Sequence, residues 1–379
     1  MNTRAFIVTI AMASILVLAG MRDPSIPAPC PGSVYDVSGF PGPDASVQIN
    51  ACIARAIENG GGTCDARALQ GTRVMSQQVT VGSAAAYAKH IGVTLLLPET
   101  AVWKWHLTDG VSCGIYQFSS SSIVGEQPGG GGNRMVITAS GGSRMDSLYC
   151  TAGEPIDGAF YVRAQGFAVE NYENGSTFTN GVIHIRGIAD QSSFTRIFGE
   201  NYHGDVWHID SACCGAKFDA VQGISNGGPG GGVPLTIGTN TANTHSISFY
   251  DSTFNEPGID NANIVVRGGA HTFGINFYNA YMEGNGVRDP KTSMVYVAAG
   301  VGPIHFFGGT ANTEERSMTD TKAVFENHGH ELDLYSFEAT NTTVGIRDAS
   351  ANVTVPVWSW SGNLGSIPSH STRRPEVNR

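Results

Sequence analysis

From Val182 to Asp348 the chain repeats one short alternation of apolar and polar positions. Ile247-Ser248-Phe249-Tyr250-Asp251 returns as Ile275-Asn276-Phe277-Tyr278-Asn279, Ile304-His305-Phe306-Phe307-Gly308 and Leu332-Asp333-Leu334-Tyr335-Ser336. With the middle apolar residue as marker, the steps are 277 − 249 = 28, 306 − 277 = 29 and 334 − 306 = 28. Looser copies centred on Phe218 and Phe194 continue the series upstream with steps of 31 and 24. A second phrase lies between the copies: Val182-Ile183-His184-Ile185, Val206-Trp207-His208-Ile209, Pro234-Leu235-Thr236-Ile237, Asn263-Ile264-Val265-Val266 and Met294-Val295-Tyr296-Val297. Period-two alternation rich in Val, Ile, Phe and Tyr predicts strands, and the Gly, Asn, Asp and Ser between them predict turns. No intervening segment is patterned as a crossover helix, which excludes βαβ units. A fixed interval between like phrases predicts a repeat in which each unit buries its apolar face on its neighbours. Successive turns then lie roughly 4.8 Å apart, with right-handed winding as the default for parallel connections. The predicted fold is all-β, a right-handed parallel β-helix forming one elongated domain over residues 44–365.

Upstream the pattern changes. Asp44-Ala45-Ser46 supplies helix-capping side chains, and Val47, Ile49, Ile53, Ala56 and Ile57 follow at helical spacing. Gly60-Gly61-Gly62 ends this helix. An open solenoid end exposes strand edges and apolar interior, so the helix is expected to cap it. Strands begin at Thr63-Cys64-Asp65-Ala66-Arg67 and Val93-Thr94-Leu95-Leu96-Leu97, and residues 98–181 are assigned to the first, less regular coils. Residues 20–43, rich in Pro and Gly, read as linker, and 366–379 as a disordered tail. Residues 1–19 carry Arg4, an apolar run from Ala5 to Leu18 and the small-residue site Val17-Leu18-Ala19. That order predicts a secretory signal peptide and an exported mature chain, with no membrane association after cleavage.

Export permits disulfides. Cys52 with Cys64 is the preferred pair, since it would tie the capping helix to the first strand, and Cys113 with Cys150 is the second. The seven cysteines leave at least one outside an intramolecular pair. Adjacent Cys213-Cys214 lacks metal-type spacing, so no metal site is predicted. Only 14% of residues are charged, Gly numbers 49, and net charge is −10 with a pI near 5.5. Without a basic stripe, nucleic acid and acidic membrane surfaces are excluded as partners.

Asp44-Ala45-Ser46-Val47-Gln48-Ile49-Asn50, the triglycine at 60–62 and Asp65-Ala66-Arg67 resemble the entry of many bacterial and phage-tail β-helix enzymes. With the coils that follow, the chain is similar over residues 44–350 to the pectin-lyase-like superfamily of secreted β-helix proteins. That resemblance implies a polysaccharide partner and either hydrolysis or lyase cleavage. The Asn-Thr-Asp, Asp-Asp, Gly-His-Gly and Arg-Ile-Lys motifs of polygalacturonases are absent, and His328-Gly329-His330 has the reverse order. Arg288-Asp289-Pro290 opens like the Arg-x-Pro-x-x-Arg motif of pectate lyases, but Ser293 holds its last place.

Strand parity sends Ile247 and Phe249 inward and their neighbours outward. Stacked coils then build two outward files, one of Lys217, Ser248, Asn276, His305 and Asp333, the other of Asp219, Tyr250, Tyr278, Phe307 and Tyr335. The four rings Tyr250, Tyr278, Phe307 and Tyr335, with His305 beside them, are expected to bind substrate, because sugars present apolar C–H faces to exposed aromatic rings. The competing reading is an aromatic ladder that only stabilises the sheet. Hydrolysis needs an acid and a base or nucleophile about 5–9.5 Å apart, and Asp219, Asp251 and Glu283 are the candidates. Glu283 interrupts an asparagine series, in register with Asn255 and Asn312. Lyase chemistry would use Lys217, Arg196 or His305 as base, and only then calcium as cofactor, held by Asp219 and Asp251. A second cluster, Glu200, Tyr202, His203, Asp205, Trp207, His208 and Asp210, lies one coil above His184. The expected function is cleavage of an extracellular polysaccharide, hydrolysis before lyase chemistry. The alternative is a non-catalytic carbohydrate-binding or surface structural protein.

Overall fold

The computed structural model describes residues 32–126, 134–152, 161–173, 175–188, 191–225, 230–258, 261–284, 293–312, 324–340, 346–348 and 360–361. The signal-peptide segment, the C-terminal tail and the Arg288-Asp289-Pro290 motif lie outside these residues.

Helix α1 spans Ala45–Glu58. The Asp44 Oδ1 accepts the backbone N–H groups of Ser46 at 2.8 Å and Val47 at 3.3 Å, satisfying two of the donors a helix start leaves open. Ile49, Cys52, Ile53 and Ala56 on one face are buried against the first coil. The Cys52–Cys64 disulfide ties α1 to the strand Gly62–Asp65, as expected. Gly60, Gly61 and Gly62 all have positive φ. At Gly61 a Cβ would come within 2.8 Å of the Gly92 carbonyl, so the turn needs glycine there. Asp44→Ala is expected to cost about 1 kcal/mol while Asp44→Asn is nearly neutral. A urea midpoint unchanged by Asp44→Ala would refute the cap.

The linker boundary at 43 is corrected. Val34–Asp36 forms a strand, β1, parallel to β2 (Gly62–Asp65) with Tyr35 opposite Cys64. Three residues are too few to show periodicity amid Pro and Gly. What pulls them into line is the edge of the first coil, whose backbone donors and acceptors need partners.

All strand pairs between coils are parallel. The two phrases build two sheets, one of 18 strands and one of ten. The fold is therefore the expected parallel β-helix. Residues 98–181 contribute coils with strands at Ala101–Trp105, Cys113–Gln117, Met135–Ala139 and Arg163–Asn171.

The marker phrase forms an L-shaped strand. A single residue with left-handed backbone bends it, at Gly166, Arg196, Ala220, Asp251, Asn279, Gly308 and Ser336 in successive coils. Another positive-φ residue precedes the bend at Gln191, Gly215, Ser246 and Gly274. The differences 196 − 191, 220 − 215, 251 − 246 and 279 − 274 are all five. The first leg of the L thus has constant length although the coils do not. Inside it, Phe194, Phe218, Phe249, Phe277 and Phe306 stack with centroids 4.5–5.1 Å apart and are wholly buried. Each such ring contributes about 1.5–3 kcal/mol of burial, which makes equal spacing of these strands the low-energy arrangement.

Candidate functional site

On the outer face of the first leg the register is the expected one. Lys217, Ser248, Asn276, His305 and Asp333 form one file, and Asp219, Tyr250, Tyr278, Phe307 and Tyr335 the next. The four rings are half-buried, neither scattered nor sealed inside. Their centroids lie 4.8–4.9 Å apart with planes within 13° of parallel. The ring faces are therefore turned toward one another, and laterally the wall offers ring edges and hydroxyls. Below Tyr250 stands the smaller Asp219, which leaves that ring's lower face clear of an aromatic neighbour.

The four residues expected to do chemistry are spread over three coils. Lys217 and Asp219 flank buried Phe218 on one strand and are exposed. Asp251 sits at the bend and accepts Asn279 Nδ2 at 3.1 Å. Glu283 lies on the second leg, in register with Asn255 and Asn312 as expected, and accepts Asn312 Nδ2 at 3.4 Å. His305 has its ring 3.0 Å from Asn276 Oδ1 and 3.5 Å from Asp333 Oδ2, so both nitrogens have protein partners. Among the described residues, neither Asp219 nor Asp251 joins a group of three converging metal-type ligands.

A tighter constellation occupies the second leg two coils below the lowest tyrosine of the ladder. Glu170 and Glu200 hold the same position in successive coils. The Tyr172 hydroxyl donates to Glu200 Oε2 at 2.5 Å. On neighbouring parallel strands this register places the two residues roughly 4.8 Å apart along the stack. Arg134 ion-pairs with Glu170 and stacks 4.4 Å over the Phe198 ring. Burial pushes the Glu170 carboxyl above the usual carboxylate range, and the Arg134 guanidinium pulls it back only in part. Burial also raises the Tyr172 hydroxyl, with the Glu200 charge acting the same way, so it stays a donor. Tyr172 and Tyr202 are 46% and 39% exposed, with centroids 5.0 Å apart and planes tilted by 54°. Unlike the ladder, this pair leaves part of each ring face open.

The second sequence cluster is divided by the fold. Glu200 and Tyr202 join the site just described. Trp207 is buried in the interior, and Asp205 holds the Val233 amide at 2.7 Å in a turn. His208 belongs to the ten-stranded sheet and Asp210 follows its strand, and there His184 lies between two aspartates, 2.9 Å from Asp146 and 2.9 Å from Asp210. His208 lies 2.9 Å from the other Asp210 oxygen. Burial alone would lower the His184 pKa, but the two carboxylates outweigh it and raise it. Burial likewise opposes ionisation of Asp146 and Asp210, yet both are held below the usual range, Asp146 by His184 with Asn180 and Arg186, and Asp210 by His184 and His208.

Sequence reading missed Glu170, Tyr172 and Arg134. A retrievable signal existed, since Glu170-Asn171-Tyr172 and Glu200-Asn201-Tyr202 are one phrase thirty residues apart. No family model, no curated protein and no solved structure matches the chain. Among the described residues no helix is long and apolar enough to cross a membrane, and the Cys113–Cys150 disulfide is also present.

Proposed function

We propose that this chain is an exported polysaccharide hydrolase of the pectin-lyase-like kind, with Glu170 as general acid and Glu200 as nucleophile. The observation that carries this reading is the pair of glutamates in register on successive coils and in unlike surroundings, Glu170 buried against Arg134 and Glu200 bonded to the Tyr172 hydroxyl. Two carboxyls whose environments differ can divide the roles of proton donor and anion. Placement one coil apart, roughly 4.8 Å along the stack, favours retaining hydrolysis, for which carboxyls about 5–5.5 Å apart are typical. Glu200 attacks the anomeric carbon as Glu170 protonates the departing glycosidic oxygen. Glu170, now the base, then takes a proton from the water that cleaves the glycosyl ester. A sugar stacking on Phe198 displaces Arg134 and so opens Glu170 to the substrate.

The test is a panel of neutral and acidic polysaccharides, assayed for reducing ends and for unsaturated uronate absorbance. New reducing ends without that absorbance are expected. Unsaturated products would make the protein a lyase, and binding without cleavage of any substrate would make it a binding module.

The aromatic ladder supports glycan contact beyond the cleaved bond, through ring edges, hydroxyls and the lower face of Tyr250. Tyr250→Ala is expected to weaken retention of the preferred polysaccharide by about three- to tenfold in affinity electrophoresis, in line with ~0.5–1.5 kcal/mol for an aromatic contact. Unchanged retention would remove this wall from the binding surface.

A further inference from the structure

Cys213 and Cys214 lie outside both disulfides, and the next coil brings a histidine to them. Ala212 pairs with Thr244 in parallel, so the residues that follow, Cys213 and His245, hold the same place in successive coils. On an extended strand, adjacent side chains point to opposite faces. Here the chain turns instead, with Cys214 at φ 63° and Gly215 at φ 93°. Two sulfurs and one ring nitrogen consequently all lie within 4.8 Å of one another. The imidazole is held by Phe273, stacked 4.8 Å away with planes 6° apart, and by the Ser246 hydroxyl 3.3 Å from Nδ1. Cys214 is exposed and the other two are half-buried, so the group opens to solvent on one side.

We propose that Cys213, Cys214 and His245 form a binding site for a thiophilic divalent cation, zinc in the first instance. Two thiolates and an imidazole are donors that zinc prefers, at about 2.3 Å to sulfur and 2.0–2.1 Å to nitrogen. Tetrahedral bonds of those lengths set the donors roughly 3.3–3.8 Å apart, a contraction of about an ångström that side-chain rotation supplies. Solvent completes the coordination on the open side. Binding releases the thiol protons, so affinity rises with pH. Spacing along the sequence hides this site, because its third ligand arrives one coil later. It is separate from the glutamate pair and does not depend on the hydrolase reading.

The test is titration of the full-length protein, with the Cys52–Cys64 and Cys113–Cys150 disulfides intact, with Zn2+, and with Cd2+ as a probe whose thiolate charge-transfer absorption reports sulfur ligation. One equivalent is expected to bind with that absorption. His245→Ala should weaken binding by about tenfold or more and Cys214→Ser should weaken both binding and the band, with circular dichroism unchanged, since Cys214 is exposed on a turn and His245 is half-buried at the start of its strand. Three results would overturn the site: no stoichiometric binding, equal binding by both variants, or a Cys213–Cys214 disulfide in the isolated protein that accounts for both thiols.

Discussion

Glu200→Gln is expected to lower polysaccharide cleavage by about 10²–10⁴-fold, and Glu170→Gln by a similar factor on substrates with poor leaving groups. Such factors are typical of general acid–base groups. The amide keeps the volume and can still accept from Tyr172, so the fold should persist and the loss should lie in the rate. Burial raises the Glu170 carboxyl, and a general acid acts only while protonated. Activity should therefore fall as pH rises through its folded pKa, and that alkaline limb should vanish in Glu170→Gln. Asp219→Asn, Asp251→Asn and Lys217→Ala are the comparison set, since all three residues are exposed or at the bend. Wild-type rates in both glutamate variants, with loss in the Asp219 variant, would return the chemistry to the first leg.

The second large effect concerns stability. His184→Ala should destabilise the protein by about 3–5 kcal/mol, the usual result of removing one partner from a buried charge group. It strands Asp146, which is 5% exposed and keeps as further partners only Asn180 and the more distant Arg186. The pH dependence has a definite sign. The folded pKa values of Asp146 and Asp210 are depressed, so their contribution is present above about pH 4 and lost as pH falls through the folded values. The folded pKa of His184 is raised, so its contribution is complete below about pH 6.5 and lost as pH rises through the folded value. Asp44, Asp65 and Asp109 are also depressed and share the acid side. The alkaline side is the specific signature. Urea midpoints measured across pH should show that loss in the wild type and its absence in His184→Ala. A variant as stable as the wild type, with the same alkaline slope, would refute the network.

Much of this architecture was legible in the residues because a solenoid converts sequence interval into spatial register. The marker steps placed Tyr278 over Tyr250 and Glu283 beside Asn255 and Asn312, and the pairing agrees residue by residue. The helix, its cap and the Cys52–Cys64 disulfide followed from equally local signals, whereas the Cys113–Cys150 pair, 37 residues apart, had no such signal behind it. Parity also identified which side chains point outward, but it carries no information on what covers them. His305 was correctly placed on the outer face, yet its hydrogen-bonding partners arrive from the coils on either side. Ring orientation was equally invisible: a file of aromatics reads the same whether faces or edges meet the solvent. Glu170 and Asp146 went unnoticed because the marker phrase is faint before Phe194; only the separate Glu-Asn-Tyr phrase, repeated at 170 and 200, carries the interval there.

The constant five-residue spacing before the bend has a consequence for how such a chain can vary. One residue added or removed within that span would invert the inward and outward sets of that leg beyond it, carrying Phe277 or its equivalent in the affected coil into solvent. Insertions in the long return loops would leave that span untouched. The straight span thus acts as a gauge block, and lengthening or trimming of this protein is confined to the far side of each coil.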